Sequence, residues 1–192
     1  KDGTLTDGKN SWSYAQIVQD CHRQLQREVF ASYQFKNTTN PGVTGAHFAH
    51  VEVDVYTGNV KILDYLAVHD IGRAINPEIC RAQIQGAVQM GAGAALNEQM
   101  TIDKRGCATH SLGEYHILNA PQVPSVRVEF IENGGTNGPF GCKSIGEVCH
   151  VPPAAAIVGA VNEALHADLD TIPLNQDAIC RWVESYQEEV FS

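Results

Sequence analysis

Hydrophobic positions first fall into a helical rhythm near the start of the chain, where Tyr14, Val18, Cys21, Leu25 and Val29 recur at steps of four, three, four and four. That spacing stacks them on one face of a helix, and Ser13 with Gln16 three residues on fits a capping box, so the pattern predicts an amphipathic helix over about 13–32. The run from Lys36 to Gly42 reads as punctuation through its Pro41-Gly42 pair. The period then drops to two. Ala49, Val51, Val53 and Val55 alternate with His50, Glu52 and Asp54, as in a strand with one buried face. Thr57-Gly58-Asn59 is turn chemistry, and residues 60–68 supply a second strand, which predicts a hairpin.

Asn76 can cap a helix whose first turn takes Pro77 and Glu78, predicted to run to about Met100. It carries Gly86, Gly91 and Gly93, and each glycine inside a helix costs roughly 0.8–1.0 kcal/mol relative to alanine. Close packing against another backbone would compensate for that cost. So would the approach of a ligand to the helix surface, where Gln83, Gly86 and Met90 follow one another at i, i+3 and i+7.

Beyond a loop around Lys104-Arg105-Gly106 and the interruptions at Pro121 and Pro124, Val126, Val128 and Phe130 alternate with Arg127 and Glu129 as a further strand. Residues 133–146 (NGGTNGPFGCKSIG) hold five glycines and a proline and cannot form a regular element. They lead directly into Glu147. A helix over about 152–165 follows, with prolines in its first turn, and a last helix starts after Asn175. The elements predict one α+β unit over residues 1–192, a mixed sheet with packed helices.

Composition narrows the function. Lys and Arg number 13 against 22 Asp and Glu, a formal charge of −9, and the longest basic block is Lys104-Arg105. Phosphate-backbone binding needs concentrated basic charge, so nucleic acid is not an expected partner. With 43% hydrophobic residues the chain can bury a core, yet no uninterrupted apolar run reaches the roughly 20 residues of a membrane span, and no membrane association is expected. The six cysteines (Cys21, Cys80, Cys107, Cys142, Cys149, Cys180) form no CxxC pair, which suits a reducing, cytoplasmic compartment. The chain opens on Lys1 rather than Met, as a piece of a longer protein would. Asn37-Thr38-Thr39 matches a glycosylation triplet, read here as chance.

Few residues stand out chemically. His47 and His50 fall on opposite faces of the predicted strand, and His69 and Asp70 are adjacent strand residues that also diverge, so neither pair reads as a site and no metal site is expected. A phosphate-binding loop needs glycine directly before its Lys-Ser pair and a helix starting there. Gly141-Cys142-Lys143-Ser144 interposes a cysteine, and the helix begins later, which leaves nucleotide binding the weakest of the alternatives. Glu147 is a lone carboxylate displayed between a glycine-rich loop and an apolar helix. On its own it reads as a surface charge.

Its setting changes that reading. Lys143–Glu147 (KSIGE) followed by Val151–Val161 (VPPAAAIVGAV) resembles the C-terminal end of the molybdenum subunit in the xanthine dehydrogenase and aldehyde oxidoreductase family. Thr57-Gly58, Asp70–Pro77 (DIGRAINP), Gln83–Ala87 (QIQGA), Gly91–Gly93 (GAG) and Ile172–Leu174 (IPL) resemble further segments of that family, in the same order. The resemblance covers about residues 40–180.

The resemblance implies the fold of that family's C-terminal molybdopterin-binding domain, as a fragment of a longer molybdenum-binding subunit. It implies Glu147 as the catalytic base acting on a molybdenum-bound hydroxide, Gln83 as a hydrogen-bond partner of the pterin, and Lys143 and Gly146 beside the cofactor. The cofactor would be molybdopterin, in its plain or cytosine dinucleotide form. The implied reaction hydroxylates a carbon of an N-heterocycle, purines included, or of an aldehyde, with oxygen from water. Iron–sulfur clusters and FAD in other domains or subunits would carry the electrons away, and the isolated fragment would be inactive. Three features depart from the pattern: Met90 where the family often has glutamine, Val148 where proline often follows the glutamate, and Cys142 and Cys149 without a family role. The competing class is a structural or interaction module that keeps the fold without the chemistry.

Overall fold

The structure, a computed structural model, describes residues 3–30, 32–34, 36, 42–106, 111–135 and 138–191, the last five of these by backbone alone. The chain gathers into two compact units, Lys1–Asn37 and Thr38–Ser192, where the sequence read as one.

In the first unit, β1 (Thr4–Thr6) pairs antiparallel with β2 (Ser11–Ser13), and α1 (Tyr14–Leu25) follows at once. Ser13 caps α1 as expected: its hydroxyl accepts from the Gln16 amide at 3.2 Å while Gln16 Oε1 accepts from the Ser13 amide at 3.0 Å. The helix stops well short of residue 32. Gln26 takes a left-handed conformation (φ 47, ψ 39) and its amide closes back on Cys21, which ends the helical ladder one residue after Leu25. Val29 therefore lies outside the helix, and Tyr14, Val18 and Leu25 stay exposed. The Asn37 triplet and most of the Pro41-Gly42 turn lie outside the described residues.

The second unit is built on a three-stranded sheet in the order β3–β4–β5. β3 (Gly45–Asp54) and β4 (Asn59–Asp70) form the expected antiparallel hairpin, with Asp54 opposite Asn59 and Val53 opposite Val60. Gly58 makes the turn at φ +69, a left-handed conformation that favours glycine. Val55 is not a strand residue; it begins the turn and is 42% exposed. His50 pairs with Asp64 but Val51 with Ile62, so Leu63 is an extra residue that bulges outward. The bulge resets the alternation: Val60 and Ile62 face inward before it, Tyr65, Ala67 and His69 after it.

From β4 the chain crosses over through α2 (Pro77–Leu96) and returns as β5 (Val126–Ile131), parallel to β4. Asn76 Oδ1 accepts from the Ile79 amide at 3.2 Å, capping α2 as its sequence predicts, although the helix ends four residues before Met100. A single turn, α3 (Leu112–Tyr115), lies in the long return. α4 (Pro152–Leu165) packs on β3 and α2 through Pro153, Ile157 and Val161, and α5 (Gln176–Phe191) closes the chain, with Asn175 Oδ1 capping the Ala178 amide at 2.9 Å.

The core runs between the sheet's inner face and these helices: Tyr65, Ala67, Val126 and Val128 meet Ile84, Val88, Ala92, Ile157 and Ile179. One stretch, Glu147–Leu165, is long and apolar enough by length and composition alone to cross a membrane, although polar residues interrupt it. Its buried stripe at 153, 157 and 161 packs against the sheet and α2.

Candidate functional site

The three glycines of α2 do different things. A Cβ at Gly91 would overlap Pro153 Cβ and sit 3.0 Å from its Cγ, so this glycine lets α4 close on α2. At Gly93 the neighbour is the Glu98 side chain. At Gly86 a Cβ would meet nothing within 4 Å, and Gln83, Gly86 and Met90 are all exposed. Gly91 fits the close-packing explanation, and the helix surface over Gly86, beside Gln83, is open.

What lies next to that space follows from helix geometry. At about 100° per residue, Arg81 and Gln85 point one way, and they reach the carbonyls of Val128 and Val126 on β5. Cys80 and Ala87 lie on the other flank, toward the turn that carries Glu147. His150 Nδ1 is 3.4 Å from the Ala87 carbonyl oxygen, and Cys149, fully buried, has Cys80 close enough to perturb its thiol. Burial first and Cys80 second push the Cys149 thiol up to about 11. Gln83 sits angularly beside Cys80 and Ala87, so it borders the side of α2 on which the Glu147–Cys149 turn rests.

Glu147 opens that turn and is exposed, as is Gln83; Gly146 before it is half-buried, with open space where a Cβ would point. Residues 147–149 pack against α2, with His150 at the Ala87 carbonyl, and Gln83 lies about 40° around the helix from Ala87. A groove of about 1080 Å³ lies elsewhere, lined by the start of β4, the end of α2 and residues 112–125, and includes neither Glu147 nor Gln83.

Lys143 is placed differently from the other three. Its ammonium donates to Asp70 Oδ2 at 2.6 Å, and the two side chains are only 9% and 12% exposed. Asp70 Oδ1 accepts from the Gly72 amide at 3.0 Å, and the Lys143 hydrogen bond and then this amide hold the carboxyl below the usual carboxylate range. The Lys143 backbone amide donates to the Ile71 carbonyl at 2.8 Å, and Gly72 bridges Cys142. A P-loop needs this ammonium facing phosphate at a helix start. Here a carboxylate holds it, and between it and Pro152 there is only the short 3-10 turn Glu147–Cys149 and no α-helix start.

The two histidine pairs diverge as the strand period predicts, but two of their members meet across the hairpin. His47 Nε2 lies 2.7 Å from His69 Nε2 and His47 Nδ1 lies 2.9 Å from the Tyr65 hydroxyl, the rings meeting edge to face. His50 is exposed. Burial first, and His69 second, hold His47 down to about 4. Sequence reasoning set these histidines aside; the usable signal was the hairpin register, which puts both on the inner face. Among the described residues no group of three or more His, Cys, Asp or Glu is placed to hold a metal ion.

The fold over about three quarters of this chain is shared with known enzymes. Quinoline 2-oxidoreductase from Pseudomonas putida 86 superposes with a TM-score of 0.70 at 32% identity, over 74% of this chain and 19% of that one. The aldehyde oxidoreductase from Desulfovibrio gigas gives 0.68 at 26% identity, over 74% and 15%. In sequence, residues 1–124 match the molybdopterin cofactor-binding domain. The chain belongs to that domain family, in the form found in molybdenum hydroxylases of the xanthine dehydrogenase and aldehyde oxidoreductase type. It is 34% identical over 155 residues to the putative xanthine dehydrogenase molybdenum-binding subunit XdhA of Escherichia coli (strain K12), covering 80% of this chain and 21% of that one. It is 31% identical over 184 residues to the aldehyde oxidoreductase molybdenum-binding subunit PaoC of Escherichia coli O157:H7, covering 93% and 25%. The chain thus spans about a fifth to a quarter of the length of these relatives. The matched domain includes Gln83 and ends before Lys143–Glu147.

Proposed function

We propose that this chain is the C-terminal molybdopterin-binding portion of a molybdenum-dependent oxidoreductase, with Glu147 as its base and Gln83 as a pterin contact. The reading is supported by an exposed Glu147 on a turn that packs against α2, the helix that also carries the exposed Gln83, with open space over Gly86 and Gly146. The donor set fits the group. A carboxamide offers two donors and an acceptor to the polar edge of a pterin without adding charge, and a glycine one turn further lets a flat ring system approach the helix.

When bound, the cofactor supplies the metal that activates water and takes up electrons from the substrate. Glu147 accepts the proton from the attacking oxygen, for which its carboxylate must come within about 2.6–3.2 Å of that atom. Gln83 orients the pterin. Gly146, next to the base, keeps the approach to it clear, and Lys143 serves the site through the loop it holds, since its ammonium already donates to Asp70. The substrate is an N-heterocycle or an aldehyde, hydroxylated with oxygen from water, and iron–sulfur and FAD domains or subunits receive the electrons. The cofactor in its plain or cytosine dinucleotide form and a cytoplasmic location belong to the same reading; the described cysteines, all free, suit the latter.

The test is Glu147→Gln in the full-length protein. Turnover should fall on the order of 10²–10⁴-fold, the usual worth of a positioned base, with molybdenum content unchanged. Near-normal turnover in the metal-loaded variant would discard Glu147 as the base.

A further inference from the structure

We propose that Asp70 and Lys143 form a buried ionic latch that positions Glu147 by fixing the loop from which it is displayed. The inference rests on the reading of Glu147 as the base and deepens the role given there to the Lys143 loop.

The latch joins two segments 73 residues apart in sequence. On one side Asp70 is the last residue of β4, the central strand of the sheet, and so is held by the most constrained backbone of the unit. On the other side Lys143 leaves a segment too rich in glycine to hold its own shape. Backbone contacts register the two: the Arg73 and Gly135 amides both donate to the Gly141 carbonyl, at 3.1 and 3.0 Å, and Lys143 donates to Ile71. A Cβ at Gly72 would overlap the Gly141 carbonyl oxygen, so the two chains meet at a distance only glycine permits.

Three residues separate Lys143 from Glu147, and the far end of this stretch is tied too. Cys149 is buried in the core and its thiol lies 3.7 Å from the Ile145 carbonyl, while His150 reaches Ala87 on α2. Glu147 is therefore an exposed carboxylate on a short span anchored at both ends, and at its start the anchor is the ion pair. Removing one partner leaves the other charge shielded from water without compensation, which favours release of the loop. The carboxylate would then lose its fixed position, and misplacement of about 1 Å in a reacting group costs on the order of 10²-fold in rate.

The experiment uses the full-length, cofactor-loaded protein with Asp70→Asn, Lys143→Met, both together, and Lys143→Arg. Each single variant should lower kcat by roughly 10- to 100-fold with KM within about threefold and molybdenum content unchanged. Amide exchange should rise across 143–149 but not across α2, and the double variant should be no slower than the worse single one, as expected of one shared interaction. Lys143→Arg should keep more of kcat than Lys143→Met. Unchanged exchange at 143–149, unchanged kcat in either single variant, or loss of molybdenum in Lys143→Met but not in Asp70→Asn would each overturn the latch, the last by making Lys143 a direct cofactor contact. Full turnover in Glu147→Gln with faster exchange in the latch variants would remove the base and keep the latch; exchange unchanged in those variants removes the latch whatever Glu147 does.

Discussion

Replacing Gly86 and Gly91 by alanine, one at a time, separates the two roles that glycine plays in α2. Both substitutions gain the same helix-propensity term, roughly 0.8–1.0 kcal/mol. They differ in what the new methyl meets: nothing within 4 Å at Gly86, and the ring of Pro153 at Gly91, whose Cγ would lie 3.0 Å away and whose Cβ nearer still. Carbon atoms settle at about 3.5–4.0 Å, so α2 and the start of α4 must part by about 1 Å or leave their rotamers. Proline is rigid and sits in the first turn of α4, so little of this can be absorbed by a side chain. Overpacking of this kind costs typically 1–3 kcal/mol. The propensity term cancels between the two variants, and Gly91→Ala should be less stable than Gly86→Ala by that 1–3 kcal/mol, or roughly 2–12 °C in melting temperature for a chain of this size. Urea and thermal unfolding of both variants measure the difference. Equal stability would refute the α2–α4 contact and with it the structural explanation of Gly91. In the full-length protein Gly86→Ala should also weaken cofactor retention while stabilising the fold, because its methyl enters the space beside Gln83.

Acid should destabilise the protein partly through His47. Its folded value of about 4 lies below the ordinary 6.5, so the unfolded chain binds the extra proton; the contribution is complete above pH 6.5 and is lost as pH falls toward 4, by at most about 3 kcal/mol. Urea midpoints between pH 7 and 4.5 should fall less steeply in His47→Gln, and parallel slopes would refute the assignment. Magnesium with ATP or GTP should leave the melting temperature unchanged, because the Lys143 ammonium donates to Asp70; a rise at saturating nucleotide would mean that the pair opens to phosphate.

Local chemistry was legible in the sequence wherever one segment decided it. The Ser13 and Asn76 caps, the Thr57–Asn59 turn, the alternation of 49–53 and the proline start of α4 depend on side chains within a few residues, and all are present. The end of α1 was not legible. Its apolar period continues to Val29, but the left-handed conformation of Gln26 outranks periodicity when, as in α1, no residue is buried to reward a longer helix. The Leu63 bulge escaped for a related reason: the hydrophobic run through 60–68 reads the same in either phase, and only pairing with β3 chose one.

By itself the sequence determined the long elements from β3 onward, the β3–β4 hairpin, the capped glycine-bearing helix and the family resemblance through Asp70–Pro77, Gln83–Ala87 and Lys143–Glu147, but not the β1–β2 pair or α3. Each of these is written within a few neighbouring residues. The tertiary structure alone decided which distant groups meet: β5 beside β4 in parallel, His47 against His69, Pro153 on Gly91, and Lys143 on Asp70 across 73 positions. Spacing along a chain carries no record of such meetings, because they depend on how several elements are packed at once.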